Sequence, residues 1–362
     1  MPLLFFFVGL ALLIVGAEVL VRGATRLGAA FGMPPIVIGL TIVAFGTSAP
    51  EVAVAVQAVL AGQPDLAVGN VVGSNIANIL FVLGLAALAT PLIVTQRLVQ
   101  IDVPLVIGAS FLMLFMALDG AISRLDGLVL LAGGAAYTIW TVSQSRDPTQ
   151  AVRAEYAGEF GAIRAGPGTW LVSGAQVLAG VGLLALGAHW LVLGAVSITT
   201  ALGVSELVIG LTVVAVGTSM PEAVTSVVAA LRGERNIAVG SIVGSNLLNI
   251  FWVLGLASTI ASGGVSVSPA ALRLDIPVMI AVAIACMPMF LRGNVIARWE
   301  GAFFLGYFVA YTAYLILDAS QHRVLPAFSA VMLEFVLPLT AVTLVVILVG
   351  AVRAARAPRR NP

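Results

Sequence analysis

The sequence has no lysine, one cysteine and two histidines, and only 9% of its 362 residues are charged. A single cysteine, Cys286, cannot form an intramolecular disulfide, so the sequence does not indicate a redox compartment. Soluble domains carry about 25% charged residues, so the low charge excludes an ordinary soluble protein. All 17 basic residues are arginines standing between apolar runs, which excludes a nucleic-acid-binding patch.

What the sequence has in abundance is apolar residues, at 60% of the chain with a mean hydropathy of +1.12. A membrane-spanning helix needs about 20 such residues, and eleven runs meet this condition approximately. The runs span residues 3–21, 35–61, 65–89, 102–118, 125–142, 169–192, 207–231, 236–260, 274–291, 299–317 and 326–352. The first run lacks a basic region and a cleavage site, so we interpret it as a retained helix rather than a signal peptide. The pattern predicts an all-α polytopic membrane protein.

The arginines orient these helices. With the N-terminus outside, 14 of the 17 arginines fall on the cytoplasmic side and only Arg124, Arg273 and Arg323 fall outside. Cytoplasmic loops of membrane proteins carry an excess of basic residues. The asymmetry therefore predicts a multi-pass protein of the cell membrane with its N-terminus outside and its basic C-terminus in the cytoplasm.

The chain contains an internal repeat. Residues 39–84 align with 210–255 without a gap, and 26 of the 46 positions are identical. The predicted domains are a first five-helix repeat at 1–142, a cytoplasmic linker at 143–168, a second repeat at 169–317, and an extra membrane helix with a basic tail at 318–362.

Because five is an odd number, the two repeats must cross the membrane in opposite directions. Inverted repeats of this kind build transporters whose substrate site lies at the midplane between the halves. The fold class predicted from the sequence is therefore two inverted five-helix repeats, ten membrane helices in all, plus an extra C-terminal one. Duplication alone does not prove transport, since channels also duplicate.

Each repeat carries a polar motif inside an apolar run, "GTSAPE" at 46–51 and "GTSMPE" at 217–222. On a helix, Thr47, Ser48 and Glu51 share one face. Pro50 lacks an N–H and its ring clashes with the carbonyl one turn back, which frees backbone oxygens around Ala44 to Gly46. The second copy repeats this set with Thr218, Ser219, Glu222 and Ala215.

A second motif, "GSN", follows in each repeat. Its serine lies one helical turn before another asparagine, so the serine hydroxyl and that asparagine amide share one face of the helix. These pairs are Ser74 with Asn78 and Ser245 with Asn249. The combined set offers only oxygen ligands, with no histidine or cysteine, and oxygen ligands select hard cations such as Ca²⁺. The sequence thus predicts a site for transported cations and no resident cofactor.

Less specific interpretations exist for each feature. Proline and glycine often only kink membrane helices, and hydroxyls often bond back to their own helix. A carboxylate in the bilayer centre costs several kcal/mol and is functional by default, so Glu51 and Glu222 argue against a purely structural reading. Glu18 lies near a helix end, while Asp102 and Asp275 are expected at helix starts, where a carboxylate suits the helix dipole.

These motifs, "GTSAPE…GNVVGSNIANILFVLG" and "GTSMPE…GSIVGSNLLNIFWVLG", resemble the two α-repeats of the Ca²⁺/cation antiporters, in particular the Na⁺/Ca²⁺ exchangers. The resemblance implies a transporter, not an enzyme, that exchanges Ca²⁺ for Na⁺ by alternating access. It implies that the predicted helices 2, 3, 7 and 8 surround the ions, and these are the spans at 35–61, 65–89, 207–231 and 236–260. It also implies that helices 1 and 6, at 3–21 and 169–192, slide over them. The ligands it implies are Thr47, Ser48, Glu51, Ser74, Asn78, Thr218, Ser219, Glu222, Ser245 and Asn249, with the carbonyls of Ala44 and Ala215.

Two alternatives remain open at this point. The same glutamates would serve an H⁺/Ca²⁺ antiporter, although "GTS" is typical of the Na⁺-coupled branch of the family that the chain resembles. A gated cation channel is the other alternative, and two alternating inverted halves argue against it. Some members of the family that the chain resembles carry Asp where this chain has Asn249. Asp at that position is associated with K⁺-coupled members and also occurs in some K⁺-independent prokaryotic ones. An intramembrane enzyme would need a nucleophile and a base at the site, and the motifs contain no such pair.

Overall fold

The structure, a computed structural model, describes residues 2–144, 167–203, 215–291 and 294–356. The helices of the first half are α1 Pro2–Ala30, α2 Pro35–Thr47, α3 Ala49–Leu60, α4 Pro64–Ala89, α5 Leu98–Ala117 and α6 Arg124–Ser143. Those of the second half are α7 Pro167–Ala201, α8 Ala215–Thr218, α9 Met220–Leu231, α10 Arg235–Ile260, α11 Ala271–Leu291 and α12 Arg298–Ala319. Helix α13 comprises the consecutive segments Leu325–Val331, Met332–Val336 and Leu337–Arg356.

Within the described residues, nine helices are long and apolar enough to cross a membrane, and a tenth span is counted when the bent pair α2–α3 is taken as one. This confirms the predicted all-α membrane fold. The predicted span at 207–231 is described only from Ala215 onward, as α8 and α9. Most of the predicted linker and the end of the basic tail lie outside the described residues. The cytoplasmic location of both segments stays a prediction.

Equivalent turns in the two halves are closed by glycine. The α3–α4 turn contains Gly62 with φ of +74°, and the α9–α10 turn contains Gly233 with φ of +91°. Left-handed backbone of this kind is accessible to glycine at little cost. Pro64 then starts α4, where its missing N–H would have had no helical partner. In both halves the chain therefore reverses direction through a glycine in the left-handed conformation.

Four short strands show directly that the repeats are inverted. They are β1 Leu92–Ile93, β2 Ala121–Ile122, β3 Val265–Ser266 and β4 Val295–Ile296. Strands β1 and β2 flank α5 and so lie at opposite membrane faces. Strand β3 pairs antiparallel with β2, and β4 pairs antiparallel with β1. Since β1 and β3 occupy equivalent positions in the two repeats yet lie on opposite faces, one repeat is upside down relative to the other.

Helices α1 and α7 pack against each other through glycines spaced seven residues apart. Gly9, Gly16 and Gly23 of α1 face α7, and Gly180, Gly187 and Gly194 of α7 face α1. A Cβ added to Gly187 would lie 2.8 Å from the Leu13 amide nitrogen, so the two backbones touch. Small residues allow this close approach in membranes. With 29 and 35 residues, both helices exceed the roughly 20 residues needed to cross, so both were predicted too short.

Helices α4 and α10 form the centre of the molecule. In their most apolar 18-residue windows, 78% of α4 and 94% of α10 is buried, against 33% of α1 and 0% of α13. Helix α13 lies at the periphery, where the Tyr307 hydroxyl of α12 contacts Thr340. The polar motifs of the α4 and α10 sequences are thus the ones most completely shielded from lipid.

The prediction for Asp102 and Asp275 is wrong in its structural detail. Helices α5 and α11 begin earlier than predicted, at Leu98 and Ala271, so neither aspartate starts a helix. Asp102 is fully buried, lies 3.4 Å from the Arg97 Nε and accepts a 2.9 Å hydrogen bond from the Tyr137 hydroxyl. Asp275 accepts an equivalent 2.9 Å bond from the Tyr311 hydroxyl. Through these hydrogen bonds Asp102 links α5 to α6, and Asp275 links α11 to α12.

Glu18 also takes part in tertiary contacts. It forms an ion pair with Arg22 at 2.6 Å on its own helix and a second, closer pair with Arg232. Arg232 follows α9, so the pair connects α1 to the turn between α9 and α10. Glu18 is thus held by two arginines, one on its own helix and one from the second repeat.

Candidate ion-binding site

Both "GTS" motifs interrupt a helix at the serine. Helix α2 ends at Thr47, Ser48 adopts φ of −82° and ψ of 4°, and α3 begins at Ala49 at an angle of 44° to α2. Ser219 has nearly the same angles, −88° and 5°, between α8 and α9. Pro50 and Pro221 follow at the second position of the new helix, where the missing N–H leaves no partner unsatisfied. The breaks explain how polar groups gather in the middle of each span.

The two glutamates lie at the contact between the repeats. Glu51 and Glu222 are each 1% exposed. The Ser48 hydroxyl donates a 3.4 Å hydrogen bond across the repeat interface to Glu222 Oε1, and Thr47 lies beside the same carboxylate. The two carboxylates are close enough to interact with each other. Hydroxyls and acids from both halves thus share one buried site.

The other hydroxyl of the first motif, that of Thr47, also reaches the opposite repeat. The Thr47 Oγ1 lies 3.5 Å from the Ser245 Oγ and 3.3 Å from the Ala44 carbonyl oxygen, to which it donates. The Ala44 carbonyl additionally accepts the Ser48 amide at 3.0 Å, so it is not freed by Pro50 as predicted. These two donors occupy both lone pairs of the Ala44 carbonyl oxygen, so an ion would bind it in place of the Thr47 hydroxyl.

Two amide residues that the sequence analysis did not select complete the site. Asn75 and Asn246 are the asparagines of the two "GSN" motifs, and each is 1% exposed. Asn249 Nδ2 donates to Asn75 Oδ1 at 3.1 Å, and Asn78 Nδ2 donates to Asn246 Oδ1 at 3.4 Å. Their presence at identical positions of both repeats was the available signal. That they cross the interface follows only from the packing of α4 on α10.

Both predicted amides begin a widened helical turn. Residues Asn78–Leu83 of α4 and Asn249–Leu254 of α10 form π-helical turns. Turns of this kind frequently occur at functional sites, and the described residues contain four others, at Gly39–Val43, Leu98–Asp102, Ala271–Asp275 and Met332–Val336. The two repeats therefore share this distortion as well as the sequence.

Of the twelve predicted ligands, most are buried in the same region. Those with cross-repeat contacts are Thr47, Ser48, Glu222, Asn78, Ser245 and Asn249. Ser74 and Ser219 are buried, and Thr218 is half-buried. For Ala215 the structure describes the backbone, at the start of α8.

The site carries buried oxygen atoms that lack hydrogen-bond partners. Within the described residues these include Glu51 Oε2, Glu222 Oε2, Asn78 Oδ1 and Asn249 Oδ1, which are two symmetric pairs. No arginine or histidine in the described ranges forms an ion pair with either glutamate. An unsatisfied buried polar atom costs about 1–3 kcal/mol, and an uncompensated charge costs more. The unpartnered carboxylate and amide oxygens, together with the charge of two glutamates that have no ion-pair partner, are suited to binding cations.

The described residues contain no cluster of three or more histidine, cysteine, aspartate or glutamate side chains. Hydroxyls and amides supply most of the oxygens at this site. Two inverted helical halves that enclose such a site define a secondary transporter of cations.

Comparison with known proteins places this transporter among its relatives. The chain matches the sodium/calcium exchanger protein family over residues 1–143 and 172–317. It is 38% identical over 321 residues to the putative antiporter CaxA of Alkalimonas amylolytica, covering 87% of this chain and 98% of CaxA. It is 36% identical over 313 residues to the inner membrane protein YrbG of Escherichia coli, covering 85% and 94%. The structure of the sodium-calcium exchanger NCX_Mj superposes with a TM-score of 0.73 and 30% identity, covering 87% and 98%.

This chain belongs to the sodium/calcium exchanger protein family. It is a cation antiporter of the multi-pass membrane type, and the family resemblance inferred from its motifs is confirmed.

Proposed function

We propose that this protein exchanges Ca²⁺ for Na⁺ across the cell membrane by alternating access, binding both ions at the site formed by α2, α3, α4, α8, α9 and α10. The observation that carries the proposal is the set of unpartnered, buried carboxylate and amide oxygens in symmetric pairs. Ca²⁺ takes six to eight oxygen ligands, and no side chain in the set offers sulfur or imidazole. A bound Ca²⁺ would balance the charge of the two glutamates.

The proposed ligands come in equal numbers from the two repeats. They are Ala44, Thr47, Ser48, Glu51, Ser74 and Asn78 from the first, and Ala215, Thr218, Ser219, Glu222, Ser245 and Asn249 from the second. The two glutamates supply the charge, while hydroxyls, amides and carbonyls supply neutral oxygens. Neutral oxygens spread around two charges suit several Na⁺ ions in place of one Ca²⁺.

Na⁺ is the counter-ion that the hydroxyls support best. Ser48 contacts Glu222, and Thr47 contacts Ser245, so hydroxyl oxygens lie within the reach of an ion held by the carboxylates. The solved relative NCX_Mj is itself named a sodium-calcium exchanger. Because Asn249 is a neutral amide, a Ca²⁺-loaded site holds no excess negative charge that K⁺ would have to balance.

The arrangement of faces supports the proposed orientation. The β1–β4 pairing joins the α4–α5 and α11–α12 connections, with Arg97 in the first of them and Arg298 at the start of α12. The β2–β3 pairing joins the α5–α6 and α10–α11 connections at the opposite face, with Arg124 at the start of α6 and Arg273 in the first turn of α11. We place the first face, with Arg232 and the N-terminal end of α10, in the cytoplasm, so that most arginines are inside.

The counter-ion is tested by ⁴⁵Ca²⁺ flux into proteoliposomes with an imposed Na⁺, K⁺ or pH gradient. We expect flux to follow the Na⁺ gradient and to be independent of K⁺. Liposomes without protein and liposomes with equal ion concentrations on both sides are the controls. Flux that follows a pH gradient without Na⁺ would assign the chain to H⁺/Ca²⁺ exchange, and an absolute K⁺ requirement would contradict the role given to Asn249.

A further inference from the structure

Four asparagines form two hydrogen-bonded pairs across the repeat interface. In the first pair Asn249 Nδ2 donates to Asn75 Oδ1 at 3.1 Å, and in the second Asn78 Nδ2 donates to Asn246 Oδ1 at 3.4 Å. All four are 1% exposed, and each pair joins α4 to α10. In both pairs the donor is a proposed ion ligand and the acceptor is the asparagine three positions earlier in the other repeat.

The direction of the first pair is fixed by a backbone group. Asn75 Nδ2 faces two atoms that can only accept, the Asn246 carbonyl oxygen at 3.4 Å and the Met279 sulfur at 3.5 Å. The amide nitrogen of Asn75 must therefore point to them, which turns its Oδ1 toward Asn249. Asn249 must then direct its Nδ2 toward Asn75, and the Oδ1 of Asn249 is left without a hydrogen-bond partner.

That leftover oxygen is one of the unpartnered buried atoms. Both Asn249 Oδ1 and Asn78 Oδ1 lack a hydrogen-bond partner within the described residues. An asparagine amide has nearly the same shape after a flip, but the flipped group would present N–H donors to a cation and repel it. The acceptor on the other helix therefore decides whether a cation meets oxygen or nitrogen.

We propose that Asn75 and Asn246 are positioning residues that do not bind the ion themselves but orient the amides of Asn249 and Asn78 so that their oxygens face it. This inference rests on the proposed function, since it assumes that the site binds Ca²⁺. Each repeat thereby orients a ligand of the other repeat. Because both pairs connect α4 to α10, the two helices hold the amide ligands as one unit.

The test is equilibrium ⁴⁵Ca²⁺ binding to purified full-length protein, with folding checked by size-exclusion chromatography and thermal unfolding. Asn75→Leu removes the acceptor of Asn249, and we expect Ca²⁺ binding about tenfold weaker, the effect of losing one hydrogen bond to a ligand. A double-mutant cycle separates positioning from a general structural role. If Asn75 acts through Asn249, Asn75→Leu should add little weakening once Asn249→Leu is present.

The matched control is Asn70→Leu. Asn70 is another α4 asparagine, but its Nδ2 donates to the Glu51 carbonyl oxygen at 3.2 Å and not to an amide of the site. Its effect should add fully to that of Asn249→Leu. If Asn75→Leu does not fold, the cycle of Asn246→Leu with Asn78→Leu tests the second pair in the same way.

The outcomes are separable. Unchanged Ca²⁺ binding in folded Asn75→Leu, or full additivity with Asn249→Leu, would overturn the positioning role and leave the proposed function intact. A wild-type protein that binds no Ca²⁺ would instead overturn the proposed function together with this inference.

Discussion

Replacing Gly187 with leucine should weaken the packing of α1 against α7. A Cβ at this position would lie 2.8 Å from the Leu13 nitrogen and 2.9 Å from the Gly9 carbonyl oxygen, and ordinary contact begins at 3.4 Å. The two backbones would have to separate by about half an ångström before the rest of the side chain is placed. Overpacking of this kind costs about 1–3 kcal/mol.

Gly182 provides the matched control on the same helix. A Cβ at Gly182 meets no atom within 4 Å, and the residue is exposed. Because both changes are Gly→Leu within one helix, their effects on helix propensity cancel in the comparison. Thermal unfolding in detergent should show a clearly lower transition for Gly187→Leu than for Gly182→Leu. Equal transitions for the two variants would refute the close packing of α1 and α7.

Three further predictions concern the site and the topology. Glu51→Gln and Glu222→Gln should each nearly abolish Ca²⁺ flux while the protein stays folded, because glutamine keeps the shape but not the charge; near-normal flux would contradict this. Asn249→Asp adds a negative charge and should change the ion or pH dependence of flux more than Ser245→Ala, and the opposite order would oppose our assignment. A cysteine at Ser145 should resist impermeant reagents added outside intact cells; labelling there would reverse the orientation.

The fold was largely predictable because the bilayer restricts what a chain can do. Every spanning helix needs a long apolar run, and an odd number of helices per repeat forces inversion. Helix ends were less predictable, since α1 and α7 continue well beyond the apolar runs at 3–21 and 169–192. The two helices pack along the glycines that they turn toward each other, and composition alone does not reveal this contact or the helix length that goes with it.

The candidate site was predictable where polar groups repeat inside apolar runs. A buried carboxylate such as Glu51 is costly enough that its repetition indicates function. The amide pairs were not predictable, because the Asn75–Asn249 contact depends on how α4 crosses α10. The same holds for Asp102, whose partners Arg97 and Tyr137 are brought to it by the fold. Sequence spacing describes neighbours on one helix but not across two.

The most direct test of the central claim is uphill accumulation of ⁴⁵Ca²⁺ in liposomes loaded with Na⁺ and diluted into Na⁺-free medium. An antiporter with its ions at Glu51 and Glu222 should concentrate Ca²⁺ inside above the external level, and dissipating the Na⁺ gradient should release it. Ca²⁺ that only equilibrates with the outside, whether or not Na⁺ is present, would contradict exchange and indicate a channel.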